Sequence, residues 1–193
     1  MISAILLAAG ESRRMGEFKQ LLTYAGRTFV ECCVDHLLAS RADEVIVVTG
    51  HREADVRYAL GARPIRFAHN PDYREGMSAS VKCGVAAVAP AAKAVLVALV
   101  DQPQIDSAII NRVIAEYEKQ LPLIVIPTYA GRNGHPVLID LRLRDELLSF
   151  DSTQGLRHVI HTHAADVLHT QVTTEAVLMD FDYPEDYRRL VKN

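Results

Sequence analysis

Apolar, β-branched runs recur along the chain, separated by stretches in which apolar residues return every three or four positions. The runs predict strands at about 2 to 8, 44 to 49, 65 to 69 and 94 to 100. Each is apolar at consecutive positions instead of alternating, the pattern of interior parallel strands covered on both faces by helices. Between them, Thr28 to Ser40 sets Phe29, Cys33, Val34, Leu37 and Leu38 at helical spacing, and Asp106 or Ser107 caps a helix carrying Ile109, Ile110, Val113, Ile114 and Tyr117. Such units are expected to be right-handed. After residue 123 the rhythm changes: LIVIPTYAGRNGHPVLI predicts two strands joined by a Gly-rich hairpin or loop. A helical LRLRDELLSF follows, then a helix near Gln154 to Ala164, strands near 167 to 172 and 176 to 181, and a helix from Pro184, a residue suited to a first helical position. The pattern is that of one α/β domain over residues 1–193 with a mostly parallel, partly mixed sheet.

Length and composition narrow the class without naming a function. A chain of 193 residues buries roughly 70% of its unfolded surface, enough for a sizeable core. Hydrophobic residues make up 49% and charged residues 23%, close to the globular average, which excludes a disordered chain. No apolar run approaches the ~18 residues of a membrane span, and the first strand meets a Gly turn with no secretory signal, so a cytoplasmic location is expected. Cys32, Cys33 and Cys83 form no CxxC pair and read as reduced thiols. The net charge of -3, with Lys and Arg dispersed, leaves no footprint for a nucleic acid.

The first strand empties into LLAAGESRRMG, and two readings of that stretch stand side by side. It is either a structural turn with solvated arginines or an anion cradle, in which small residues let backbone amides approach a ligand closely. In a parallel sheet, ligands bind at the carboxyl ends of strands, which favours looking here. The spacing fits neither GxxxxGK[ST] nor GxGxxG: five residues separate Gly10 from Gly16, and Glu17 follows.

Further landmarks bear on the choice. The run LLAAGESRRMGEFKQLL resembles LAAGxSxRMGxxKxLL, the signature of the nucleotidyltransferases related to molybdenum cofactor cytidylyltransferase and molybdenum cofactor guanylyltransferase. TGHREADVRYAL, NPDYREGMSASVKCGV, VDQPQI, GRNGHPVLI and MDFDYPEDYRRL continue the resemblance in family order over essentially the whole chain. It implies a Rossmann-like three-layer sandwich of the nucleotide-diphospho-sugar transferase type. It also implies transfer of a nucleoside monophosphate from an NTP to a phosphorylated acceptor, with Mg²⁺ and release of pyrophosphate.

By that resemblance, Leu7, Ala8, Ala9 and Gly10 line the nucleotide, and Arg14 and Lys19 hold its triphosphate. A guanidinium fork and an ammonium point charge suit phosphoryl transfer, where positioning and electrostatics dominate. Arg13 stands at the variable position and reads as a surface arginine. Asp101 ends an apolar strand, a costly place for a carboxylate unless it is paired, solvated or bound to metal; the resemblance makes it the leading Mg²⁺ ligand, with Asp182, and less directly Asp180, contributed by MDFDYPEDY. For Asp101 and Asp182 a helix cap is the competing reading, Asp182 being well placed to cap the helix near Pro184. Asn70, Ser78 and Ser80 are implied at the nucleotide, Ser78 being equally suited to an N-cap. Gly134, His135 and Pro136 are implied at the acceptor, where His135 reads equally as a structural loop histidine. Ala9 stands where the guanylyltransferases carry LAGG in place of LAAG, which favours CTP over GTP.

The expected acceptor is the terminal phosphate of molybdopterin, with a molybdenum hydroxylase apoenzyme as a possible recipient of the product. One departure keeps the acceptor open: relatives carry GDxGxR where this chain has Ser152, Thr153, Gln154, Gly155, Leu156 and Arg157. A sugar phosphate or another small phosphorylated acceptor, an NAD(P)H-dependent reaction on a heteroaromatic pigment, and a non-catalytic cofactor chaperone are the alternatives. His158, His161, His163 and His169 lack a Cys or acidic partner and read as surface or packing residues, and without a GxSxG elbow a hydrolase is not expected.

Overall fold

In the computed structural model, which describes residues 1–192, β1 (Ile2–Leu7) is the spine of the main sheet and is buried at every position. It pairs in parallel with β4 (Glu44–Thr49) on one side and β6 (Ala94–Leu99) on the other. β5 (Arg66–His69) extends the sheet in parallel beyond β4. Past β6, β9 (Val137–Asp140) runs antiparallel and leads to β7 (Ile124–Tyr129), which pairs in parallel with β10 (Val167–Gln171). The short β8 (Arg132–Asn133) folds back on β7 through a two-residue turn, and β2 (Thr23–Tyr24) with β3 (Arg27–Thr28) makes a separate small hairpin. The four strands predicted at about 2 to 8, 44 to 49, 65 to 69 and 94 to 100 all hold to within a residue at each end, and the sheet is mixed because β9 inserts against the direction of its neighbours.

Alternate residues of the interior strands feed two cores. Ala4, Leu6, Val45, Val47 and Leu96 pack against α1 (Phe29–Leu38), α2 (Glu53–Leu60) and α4 (Ser107–Gln120). Ile5, Leu7, Ile46, Val48 and Val97 face α3 (Met77–Ala87), α5 (Arg144–Ser149) and α6 (Leu156–Thr162). The result is helix, sheet, helix: a Rossmann-like three-layer sandwich. Complete burial of one such Leu or Ile contributes about 1.5–3 kcal/mol.

Helix starts follow local chemistry. Thr28 Oγ1 accepts from the Glu31 amide at 3.3 Å while Glu31 accepts from the Thr28 amide at 2.9 Å, a reciprocal capping box for α1. Asp106 caps α4 through the Ile109 amide at 2.9 Å. Ser78 is not a cap, because Gly76 occupies that place and α3 begins at Met77. Nor does Asp182 cap α7 (Pro184–Lys192): the Tyr183 amide donates to Asp186 at 3.0 Å, and Asp182 points elsewhere.

The strand expected over 176 to 181 is a single-turn 3-10 helix, Glu175–Leu178, followed by extended chain. Several of its backbone groups are taken by loops and side chains instead of a neighbouring strand. Gln104 donates to the carbonyls of Ala176 and Met179 at 2.9 and 2.8 Å, and the His135 amide donates to the Val177 carbonyl at 3.0 Å. Gly134 permits this approach, since a Cβ there would strike the Val177 carbonyl oxygen and come within 2.7 Å of Val177 Cβ. Gly134→Ala is therefore expected to destabilise the protein by about 1–3 kcal/mol, as overpacking does, measured as a fall in the urea midpoint; an unchanged midpoint would mean the turn yields freely.

Candidate active site

The strand order turns at β1, whose neighbours are reached by connections leaving in opposite directions, and a cleft of about 260 Å³ opens there at the carboxyl ends of β1 and β6. Leu7, Ala9, Gly10, Arg14, Lys19, Ser80 and Asp101, positions that the resemblance implies at the nucleotide, all line it, and Asp182 does too. Lys19 stands at its centre on a 3-10 turn, Lys19–Leu21. Its Nζ donates to Asp101 Oδ2 at 2.9 Å and to Asp182 Oδ1 at 2.8 Å. Arg14 Nη1 lies 2.8 Å from the other Asp182 oxygen, and its guanidinium lies 5.6 Å from the centre of the Tyr183 ring. Residues separated by more than 80 positions thus meet at one ammonium group.

Burial works against the Lys19 charge, but Asp101 and Asp182 outweigh it and hold the ammonium above its ordinary pKa. Asp101 Oδ1 is buried and has no hydrogen-bond partner among the described residues. Asp180 completes the acidic corner: Gln102 donates to its Oδ1 at 2.7 Å, while burial and the Asp101 carboxylate push its pKa up. The Phe181 amide donates to the Asp101 carbonyl at 3.1 Å, which brings the terminal segment against β6.

The loop after β1 is braced through its carbonyls. Gln20 is buried and donates to the carbonyls of Ala8 and Gly10 at 3.0 and 2.8 Å; the His51 amide takes the Ala9 carbonyl at 3.0 Å. The amides of Ala9, Gly10, Glu11 and Ser12 make no hydrogen bond among the described residues. Successive uncommitted donors beside the cleft are what the cradle reading of this stretch requires. Arg13 is exposed at the edge of the cleft and pairs with Glu11 at 2.5 Å.

Other predicted residues lie behind the cleft. Asn70 is buried and spends its side chain on Ser80 Oγ at 3.0 Å and the Asp72 amide at 3.0 Å, so it braces the wall. Ser78 donates to the Ser152 carbonyl at 3.0 Å, pointing toward the loop before α6. Ala8 is fully buried. Gly134 lies beneath Val177, and Pro136 belongs to an apolar crevice with Cys33, Leu37 and Ile110. These positions support the site through packing and do not line it. Three contributors escaped the sequence reading: Gln20, whose role depends on where the loop carbonyls point; Tyr73, which lines the cleft; and Gly50, where a Cβ would come within 2.7 Å of Tyr73 Cβ. A Gly ending an apolar strand was the only available signal.

His135 lies near the acidic corner. Burial holds its imidazole below the ordinary value, against the opposing pull of Asp180 and Asp101. A histidine whose native pKa is depressed leaves extra proton uptake to the unfolded chain, so stability falls as pH drops below about 6.5. His135→Gln is expected to flatten the loss of thermal midpoint between about pH 7 and pH 5; an equal slope in variant and wild type would assign that loss to other groups. Elsewhere, His158, His161 and His169 are exposed, and His163 pairs with Glu146 at 2.7 Å.

A bridging lysine, two carboxylates and a run of unpaired loop amides at the switch point of a parallel sheet define an enzyme class that handles nucleotide phosphates. Comparison with known proteins makes the class specific. The family model of the MobA-like NTP transferase domain matches residues 4–167, and the chain belongs to that family of nucleotidyltransferases. The molybdenum cofactor cytidylyltransferase of Escherichia coli is 27% identical over 188 residues, covering 96% of this chain and 93% of its own. The nicotine blue oxidoreductase of Paenarthrobacter nicotinovorans is 34% identical over 156 residues, 77% of this chain and 75% of its own. Among solved structures, Rv0371c of Mycobacterium tuberculosis superposes with a TM-score of 0.89 at 30% identity, covering 100% of this chain and 97% of that one. The same protein in complex with manganese gives 0.85 at 29% identity, covering 100% of this chain and 98% of that one. No helix is long and apolar enough to cross a membrane among the described residues.

Proposed function

We propose that this enzyme transfers CMP from CTP to the terminal phosphate of molybdopterin, with Mg²⁺, in the cytoplasm, and that a molybdenum hydroxylase apoenzyme receives the product. The observation that carries the reading is the Lys19 ammonium between Asp101 and Asp182, beside the unpaired amides of the loop. The residues fit a divalent cation: Asp101 Oδ1 is buried without a partner among the described residues, and Asp182 meets the same Lys19 ammonium as the other Asp101 oxygen. A hard cation such as Mg²⁺ takes one or two carboxylates and completes its shell with water and phosphate. Manganese in the Rv0371c complex supports a divalent metal here. Such a cation, when bound at Asp101 and Asp182, neutralises phosphate charge and aligns the reacting oxygens.

The loop amides hold phosphate oxygens, and Lys19 and Arg14 offset negative charge as it shifts toward the leaving group. An acceptor phosphate oxygen forms a bond to the α-phosphorus as the bond to the bridging oxygen breaks, and pyrophosphate departs. Cytidine is favoured by Ala9 and by the Escherichia coli relative. The relative named nicotine blue oxidoreductase supports a second reading, in which the same cradle holds the diphosphate of NAD(P)H.

Thermal shift with CTP, GTP, ATP and NAD(P)H, each with and without Mg²⁺, separates the two. A ligand at 100 times its Kd stabilises by about 2.7 kcal/mol. Metal-dependent stabilisation by CTP above the other nucleotides is expected; stabilisation by NAD(P)H alone would replace transferase chemistry with hydride transfer.

A further inference from the structure

The loop that forms the cradle has an unusual polarity, and one side chain imposes it. The carbonyls of Ala8, Ala9 and Gly10 are all occupied by donors of the protein itself, two of them by the single amide nitrogen of Gln20. That amide has only one useful orientation, because its Oε1 accepts from Ser12 Oγ at 3.0 Å and the Ser12 oxygen in turn accepts from the Lys19 amide at 3.1 Å. Gln20 therefore presents nitrogen to the loop, and the groups the loop leaves uncommitted beside the cleft, among the described residues, are the amides from Ala9 to Ser12.

We propose that Gln20 is a specificity-determining residue, which sets the base preference of the site by keeping the loop carbonyls committed and the loop amides free. The proposal rests on the transferase reading above. A surface of free donors matches the O2 and N3 acceptors of cytosine. It opposes the N1–H and N2–H₂ donors of guanine, which would meet N–H groups and stay unpaired on losing water. Phosphate oxygens accept from the same surface whatever the base, so the effect of Gln20 separates into a part common to all nucleotides and a part that distinguishes them. The residue acts through the backbone and is a positioning residue, without contact to the reacting atoms.

Equilibrium binding of CTP, GTP and inorganic tripolyphosphate to wild type and to Gln20→Met tests this, with circular dichroism to establish that the variant is folded. Methionine keeps the length and bulk of glutamine and removes both donors. Wild type is expected to favour CTP over GTP by about tenfold or more, the scale of one base contact. In Gln20→Met that ratio is expected to fall toward one, while tripolyphosphate affinity changes less than about threefold. A folded Gln20→Met that weakens CTP and GTP equally would overturn the proposal, leaving Gln20 a purely structural brace. If the methionine variant does not fold, Ser12→Ala takes its place: it frees the Gln20 amide to rotate, and an unaltered CTP to GTP ratio there would overturn the proposal as well. Wild type without any preference for CTP would refute the cytidine reading and this inference together, a failure visible before any variant is made.

Discussion

Asp101→Asn is expected to reduce pyrophosphate release about 1000-fold, the loss typical of removing a principal electrostatic contributor from a preorganised site. The substitution is nearly isosteric, yet it converts the buried, partnerless Oδ1 into part of a neutral amide and removes one of the two charges facing Lys19. Lys19 retains Asp182 at 2.8 Å, and the Phe181 amide bonds to the Asp101 main chain, so the fold is expected to survive. The diagnostic result is a wild-type thermal midpoint together with lost turnover and lost Mn²⁺ binding. Turnover within about threefold of wild type would remove Asp101 from the reaction.

Lys19→Met is expected to act on stability and on catalysis at once. The Lys19 ammonium is 12% exposed and lies between carboxylates that are 19% and 23% exposed, so its loss leaves two half-buried anions turned toward the same point. Breaking a pair of this kind costs about 3 kcal/mol, at the low end for a buried ion pair. Its native pKa is raised, so the stabilising contribution is complete below the ordinary lysine value near 10.5 and disappears as pH rises through the native one. At neutral pH the full deficit is therefore measurable by urea unfolding, and it is expected to close at alkaline pH as wild type loses its own contribution. Nucleotidyl transfer is expected to fall about 100- to 1000-fold, with weaker triphosphate binding. Lys19→Arg, which keeps the charge, should recover most of the stability and little of the rate, because a planar fork does not reproduce a point charge between two carboxylates.

The layer architecture was legible because burial on both faces leaves a plain trace: β1, β4 and β6 are apolar at successive positions and belong to the interior of the sheet. Caps at Thr28 and Asp106 are equally local. The site was legible in part. Lys19 and Asp101 meet as the resemblance implies, but the loop alone was undecidable between turn and cradle, since the choice depends on which way its peptide planes face. That orientation comes from Gln20 and from the His51 amide across the sheet. Gly134 and Ser78 fit a motif yet serve packing, for their partners Val177 and Ser152 lie 43 and 74 positions away and no short window contains both. The segment over 176 to 181 looked like a strand because Val177 and Phe181 are apolar; its backbone groups were already claimed by Gln104 and His135.

That claimed segment has a consequence for how the enzyme fails. Asp180 and Asp182 follow directly on a turn fastened to the rest of the protein at Gly134, His135 and Gln104. Substitutions in the hairpin or in the loop before α4 would therefore loosen the clasp and withdraw two carboxylates together, and an assay would record an active-site lesion in a chain whose loop after β1 is untouched.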